Sequence, residues 1–465
     1  MTDEQGDPGT ERVPERAEDE YLLDSELFEA VVEAVEAQDA GALATLIADL
    51  HVADLADLVE QLKFDQRIAF LTLTWPVIDK DVLAELQENV RDELLPELDP
   101  TLVAEALREL DTDDAVYVLE GLEDEAQEAV VEALEPSDRA MISKSLTYPD
   151  YSAGRLMQSE FVKAPPFWTV GQMIDEMRNS EHLPEQFYDV VLVDPAMRPL
   201  GKISLARILG SPRPVILESL MDEHIRTLHV EDAQEDVAYA FNQYHLVSCP
   251  VVDDDGRVVG VITIDDAMEV LEDEAEEDIK RLGGVGDEEI TDRVWAITRR
   301  RFPWLAANLA TAILASAVIA IFDDVIGKLV ALAILMPIVA SMGGNAGTQT
   351  LTVAVRALAT RDLTPSNMMR TVGRETLVGL LNGLLFALVI GAATWALYGN
   401  PMLGAVIAAA MVVNMLVAGL AGILIPIGLE RIGADPALAS GTFVTTVTDV
   451  VGFFTFLGLA ALLLL

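Results

Sequence analysis

The chain has 465 residues with 78 acids against 30 bases, a formal charge of -48, and so acidic a surface repels phosphate backbones and argues against nucleic acid as a partner. Its single cysteine, Cys249, excludes an intramolecular disulfide and fits a cytosolic front half. The charge is uneven: only seven acids lie beyond Arg301, set against six bases, which leaves 71 acids and 24 bases in the first 301 residues. The front therefore reads as a water-facing acidic body and the back as an apolar one. Only seven of the thirty bases are Lys. A Lys-poor acidic surface suits solubility in concentrated salt, whereas cation sensing would need only a few of these acids gathered at one interface.

Residues 1–20 are acidic and lack an apolar core, which predicts a disordered leader rather than a signal peptide. Residues 21–150 form a first domain in which apolar residues recur at helical spacing in LFEAVVEAVEA, ADLADLVEQL and TLVAEALREL, separated by breaks such as Leu98-Asp99-Pro100. Helices this short cannot bury a face alone, so the pattern predicts a stacked array. Its chemistry reads as blank, with no Cys or His cluster and no phosphate loop; His51 reads as a surface or packing residue.

Residues 151–271 change to strands alternating with helices, and the pattern occurs twice. Each copy begins with Leu-Met (Leu156-Met157, Leu220-Met221) and continues with a helix and two strands joined by a turn, Asp194 to Arg198 or Asp253 to Gly256. This duplication resembles a tandem pair of CBS domains. The second copy carries Gly260, Thr263 and Asp266, similar to that family's Gly-x-x-Thr-x-x-Asp signature, in which the resemblance gives Thr to phosphate and Asp to ribose. It thereby implies ATP or another adenine nucleotide at the second copy. The first copy has Arg207 where the Asp belongs, and a purely structural disc is the alternative.

Residues 272–301 read as an acidic connecting helix. Glu272, Asp273, Glu274, Glu276, Glu277 and Asp278 crowd into seven positions, and such repulsion opposes a helix unless a cation or basic surface compensates. A divalent ion would hold the cluster together, and its loss would let it spring apart; a solvated linker is the bland alternative.

Residues 302–465 divide into five apolar segments long enough to cross a bilayer: Phe302 to Phe322, Leu329 to Ala354, Leu377 to Tyr398, Met402 to Leu429 and Ala437 to Leu465. Arg299–Arg301, the four Arg between spans two and three, and Arg431 lie on one side, facing only Lys328, so the front half is expected in the cytoplasm and the C-terminus outside. In span two, Pro337 and the glycines before Asn345 suggest a break or close backbone approach, and Asn345, Thr348 and Gln349 supply oxygens at membrane depth. In the last span, Asp449 lies roughly 18 Å along the helix, near mid-bilayer, where a carboxylate marks an ion path by default. Thr442, Thr445 and Gly452 share its helical face.

The order helical array, CBS pair, acidic helix, five spans resembles the MgtE magnesium transporters. Pro337 through Gln349 is similar to that family's Gly-Asn-x-Gly-x-Gln span, and Thr445 through Leu457 to its final span. The implied architecture is multidomain: an all-α array, an α/β CBS pair and a five-helix membrane domain. The resemblance implies a homodimer in the cell membrane with hydrated Mg2+ in a central pore near Asp449. It also implies regulatory Mg2+ held among the acids of the CBS pair and connecting helix, which then plugs the pore. The candidate metal residues are Asp449, Asn345 and Thr445 in the spans, Asp435 at the cytoplasmic mouth, and Asp265, Glu272, Glu274, Glu276 and Glu277 outside them. The chain is not expected to be an enzyme. Alternatives are a cobalt, nickel or manganese transporter, opposed by spans without His or Cys; an intramembrane aspartyl protease, opposed by one mid-depth Asp per chain; and a non-transporting nucleotide sensor anchored in the lipid bilayer.

Overall fold

The computed structural model describes residues 25–180, 183, 184, 186–222, 224–286 and 294–465, with Ala439 by its backbone only. The leader lies outside the described residues. Two compact units divide at Met268/Glu269.

The first unit opens with ten short helices, α1 (Ser25–Glu36) to α10 (Pro136–Ser145). Caps explain their brevity: Asp39 and Asp99 accept backbone N–H groups at helix starts, and Pro100 and Pro136 occupy first-turn positions where no N–H is needed. One continuous apolar core, including Leu43, Leu58, Phe70, Leu83 and Leu119, joins the helices, as stacking of individually inadequate faces requires. His51 is a helix cap whose Nδ1 accepts from the Ala53 N–H.

The CBS pair follows as two sheets of one design. Strands β1 (Lys163–Ala164), β2 (Asp189–Val193) and β3 (Pro199–Ser204) form one; β4 (Leu228–His229), β5 (Ser248–Val252) and β6 (Val258–Thr263) form the other. In each, the first strand pairs parallel to the second and the second antiparallel to the third, with a register shift at the same place. Helices α11 (Val170–Asn179) and α13 (Gln234–Tyr244) precede the two hairpins, and α12 (Leu205–Leu209) closes the first copy.

Helix α14 runs unbroken from Ile264 to Leu282, across the division between the units. The acids of 272–278 are therefore helical, against the expected repulsion. Part of the compensation is internal: Lys280 pairs with Glu276 at 3.0 Å and Arg281 with Glu277, both four residues apart on one face.

The second unit contains five helices long and apolar enough to span a membrane: α15 (Val294–Ile321), α17 (Ala331–Ala359), α18 (Met368–Tyr398), α19 (Pro401–Arg431) and α20 (Pro436–Leu463), with a short α16 (Asp323–Lys328) after the first. Helix α19 is central, packed against α17, α18 and α20. Close approach follows from small residues: a methyl added at Gly379 would meet the Met415 carbonyl at 2.7 Å, and one at Gly422 would meet the Gly347 carbonyl at 2.7 Å. Of the break or close backbone approach that span two permits, the structure takes the close approach. Helix α17 continues through Pro337 and the glycines, and Gly343 and Gly347 serve packing.

Candidate ion path and its cytoplasmic controls

Helix α20 begins at Asp435, whose carboxylate caps it by accepting from the Ala437 N–H at 2.7 Å. The same carboxylate holds Arg281 at 2.5 Å, bridging 154 positions to the end of α14. Leu282, the next residue, packs on Leu351, Val355, Ala437 and Val444 of α17 and α20. Asp278, one turn earlier on α14, has its carboxyl raised above the usual range, first by burial and then by Asp435, with Arg356 opposing. The C-terminal end of the connecting helix thus sits at the mouth of the last span. The sequence singled out Asp435 but not its partner, because nothing in a linear reading brings Arg281 to it.

Farther along α20, Asp449 is half-buried, and among the described residues no cation is paired with it. Thr445 is half-buried, and its hydroxyl donates to the Gly441 and Thr442 carbonyls, leaving its oxygen lone pairs available. Asn345, Thr348 and Gln349 of α17 are exposed on the single chain. The seam proposed around Asp449 faces several neighbours: Thr442 donates to Asn308 of α15 at 2.8 Å, while Gly452 is buried against Asn414 of α19.

The acids outside the spans fall into two groups. Glu272, Glu274, Glu276 and Glu277 line α14, the last two in the pairs described above. Asp265 and Asp266 open the same helix: the Thr263 hydroxyl donates to both carboxylates, and its N–H donates to Asp266. Near Asp266 comes Asp113 of α8 (Thr112–Glu120), a residue of the helical array that the sequence treated as chemically blank. Asp113 is buried, and its carboxyl lies well above the usual range, because of burial first and the neighbouring Asp266 second. Asp266 is pushed up to about 6, chiefly by burial, with Asp265 and Asp111 adding repulsion against the Thr263 hydrogen bonds. The array is fixed to the CBS pair beside them: Thr112 donates its hydroxyl to Glu160 at 2.6 Å, and Arg155 binds Glu120 at 2.5 Å. Among the described residues no three His, Cys, Asp or Glu side chains converge closely enough to hold a metal.

The second-copy residues matched to a nucleotide signature are engaged internally. Gly260 faces Met157 and the Gln158 carbonyl so closely that a methyl would lie 2.7 Å from each, and Thr263 is committed to the two acids. A cavity of about 750 Å³ lies instead between the two copies, lined by Tyr188 and Ser204 of the first and by His224, Arg226, Tyr244 and Ser248 of the second among others. Its floor is an Asp189–Lys202 pair at 2.6 Å, with Lys202 also donating to the Ser248 carbonyl and the Ser248 hydroxyl to Asp189. Arg226 stacks its guanidinium 3.4 Å from the Tyr244 ring centre.

With this geometry in place, comparison with known proteins is decisive. The family model for MgtE, a divalent cation transporter, matches residues 336–459; the model of the MgtE intracellular N domain matches 50–151, and a CBS model 217–273. The magnesium transporter MgtE of Thermus thermophilus is 34% identical over 453 residues, 95% of this chain and 99% of that protein. The chain belongs to the MgtE family. The Enterococcus faecalis magnesium transporter MgtE is likewise 34% identical, over 69% of this chain and 71% of its own length. A solved cytosolic domain of the Mg2+ channel MgtE in complex with ATP is 29% identical, with 52% of this chain and 99% of that one covered and a TM-score of 0.49. The match to the N domain model ends at Tyr151, where the helical array gives way to the CBS pair, and the membrane match spans Pro337 through Asp449.

Proposed function

We propose that this protein conducts Mg2+ into the cell as a homodimer, with the front half cytoplasmic, the C-terminus outside, and opening controlled by internal Mg2+. The observation that carries the pore assignment is Asp449, a half-buried, unpaired carboxylate well inside the last span of a chain whose spans are otherwise nearly free of charge. Two copies across a dimer axis give two negative charges to one divalent ion. Magnesium parts reluctantly with its octahedral water shell, so few carboxylates and several neutral oxygens suit it better than a full protein cage. Asp449 supplies charge, while Asn345 and Thr445 supply oxygens to the ion's water. Membrane potential suffices as the driving force, because a divalent ion gains about 4.6 kcal/mol per 100 mV, twice the single-charge figure.

The closed state is supported by the Arg281–Asp435 pair and by Leu282 on the α17–α20 surface, which seat the end of α14 at the mouth of the last span. The sensing acids are those of α14, Asp265, and the neighbouring Asp113 and Asp266, where proton affinities raised by burial and crowding mark charge that a divalent cation would relieve. High internal Mg2+ favours the assembly with its acids close together, and low Mg2+ lets repulsion loosen it. For an adenine nucleotide we propose the cavity between the two copies, where Tyr188 and Tyr244 offer stacking faces and Arg226 a phosphate partner.

Uptake into proteoliposomes under an inside-negative potential tests this, comparing magnesium, cobalt and calcium. Magnesium uptake by the wild type and background uptake by Asp449→Asn are expected. Wild-type uptake by that variant refutes the pore assignment.

A further inference from the structure

Helix α19 contains one polar side chain between its first turn and Glu430, and that residue, Asn414, is completely buried. Its Nδ2 donates across the helix interface to the Val339 carbonyl of α17 at 2.8 Å. Its Oδ1 is buried and has no hydrogen-bond partner. The amide is held between two glycines on two different helices. A methyl at Gly343 of α17 would lie 2.2 Å from Nδ2, and one at Gly452 of α20 would lie 2.8 Å from the same atom. Gly343 is two residues before Asn345, and Gly452 is three residues after Asp449.

An interhelical hydrogen bond inside a membrane contributes little, because the separated helices find other partners, whereas an orphaned buried acceptor costs the full loss of its hydration. Asn414 is therefore a poor adhesive; an apolar residue of equal volume would hold the three helices at least as well. Buried polar groups of this kind are best attested as devices that fix registry, since only one alignment satisfies the donor. Here the donor fixes α19 against a single carbonyl of α17, and the planar amide sets how closely α20 approaches at Gly452. The two helices located in this way carry Asn345 and Asp449.

We propose that Asn414 is a positioning residue of the ion path, setting through Gly343 and Gly452 the level and separation of the helices that bear Asn345 and Asp449, and hence cation selectivity. The inference rests on Asp449 belonging to the path.

The test compares wild type, Asn414→Leu and Gly343→Ala in proteoliposomes, reading uptake of magnesium and calcium separately, together with thermal midpoints of the purified proteins. Asn414→Leu keeps the four-atom side chain branched at Cγ and removes both the donor and the orphaned oxygen. It is expected to melt no lower than wild type, while its preference for magnesium over calcium falls about tenfold, equivalent to about 1.4 kcal/mol. Gly343→Ala keeps Asn414 but displaces its amide, and is expected to shift selectivity in the same direction. A folded Asn414→Leu protein with wild-type selectivity overturns the proposal. Should Asn414→Leu fail to fold, wild-type selectivity in folded Gly343→Ala overturns it equally. Asp449→Asn, measured alongside, separates the two failures: background uptake there with wild-type selectivity in the Asn414 variant sinks only this inference, whereas undiminished uptake in Asp449→Asn sinks the path itself.

Discussion

Asp266 in the first unit and Asp449 in the second are both carboxylates drawn partly out of water, but their neighbours differ. Beyond burial, Asp265 and Asp111 raise the proton affinity of Asp266, and Asp266 raises that of Asp113. Asp449 lies on a helix with no other charged residue between Pro436 and its end. Crowding makes a group responsive, because anything that neutralises one member relieves the others. Isolation makes a group selective for ions carrying enough charge to replace the water it gives up. In the proposed function the same side chain is a sensor where it is crowded and a path where it is alone.

The largest effect is expected from removing the isolated charge. Asp449→Asn preserves shape and removes the only carboxylate on α20 past its cap, so magnesium uptake should fall to background in proteoliposomes. If uptake persists, the distinction between crowded and isolated acids loses its functional meaning.

Thinning the crowd should act on control rather than conduction. With Glu272, Glu274, Glu276 and Glu277 all changed to Gln, uptake at low magnesium should remain while the uptake surviving at high internal magnesium rises at least about fivefold, the lower end of ordinary coupling between sites. Unchanged closure would restrict sensing to Asp113 and Asp266.

That pair carries a pH signature. A carboxyl held near 6 binds its proton more tightly in the folded protein than in the unfolded chain, so the stabilisation is complete below the ordinary carboxylate range and is lost as pH rises from about 4 through about 6. In metal-free buffer the thermal midpoint of the first unit, followed in the intact protein, should drop by a few degrees across that window. Magnesium should restore it above pH 6. Asp266→Asn should lessen both dependences, the remainder belonging to the buried Asp113, and an unchanged slope in that variant would assign the titration to another group.

Much of this architecture was legible because solvent writes itself into composition. The five spans follow from runs of apolar residues, and the CBS pair follows from a duplicated strand pattern, Asp194 to Arg198 echoing Asp253 to Gly256. Asp449 and Asp435 stood out because charge is rare in their surroundings. What could not be read are encounters between distant residues in segments whose local patterns are ordinary. Asp113 is one acid among many on a short helix until folding brings it to Asp266. Arg281 closes a run of acids and shows no preference for Asp435. Asn414 could be noted as a polar residue in span four, but its burial between Gly343 and Gly452 depends on three helices crossing at one level. Pro337 and the glycines after it left a break or a close approach open, and only packing decides for the second: α17 continues unbroken, with Gly343 against Asn414 of α19 and Gly347 against Val444 of α20.

The smallest effect concerns the two CBS copies, which share a strand order. At the second copy's signature Thr263 is engaged by Asp265 and Asp266, while between the copies a cavity stays open beside Arg226 and Tyr244. A triphosphate entering there would draw the Arg226 guanidinium from the Tyr244 ring, exchanging a cation–π contact for charge-assisted hydrogen bonds and freeing the ring to stack on a base. Arg226→Ala should therefore weaken adenosine triphosphate binding by about tenfold in titration calorimetry of the full chain, the cost of one good ionic contact. Thr263→Val should leave that binding unchanged. The reverse ranking would move the nucleotide to the second copy's signature and make its Gly260, Thr263 and Asp266 the seat, leaving the cavity between the copies unused.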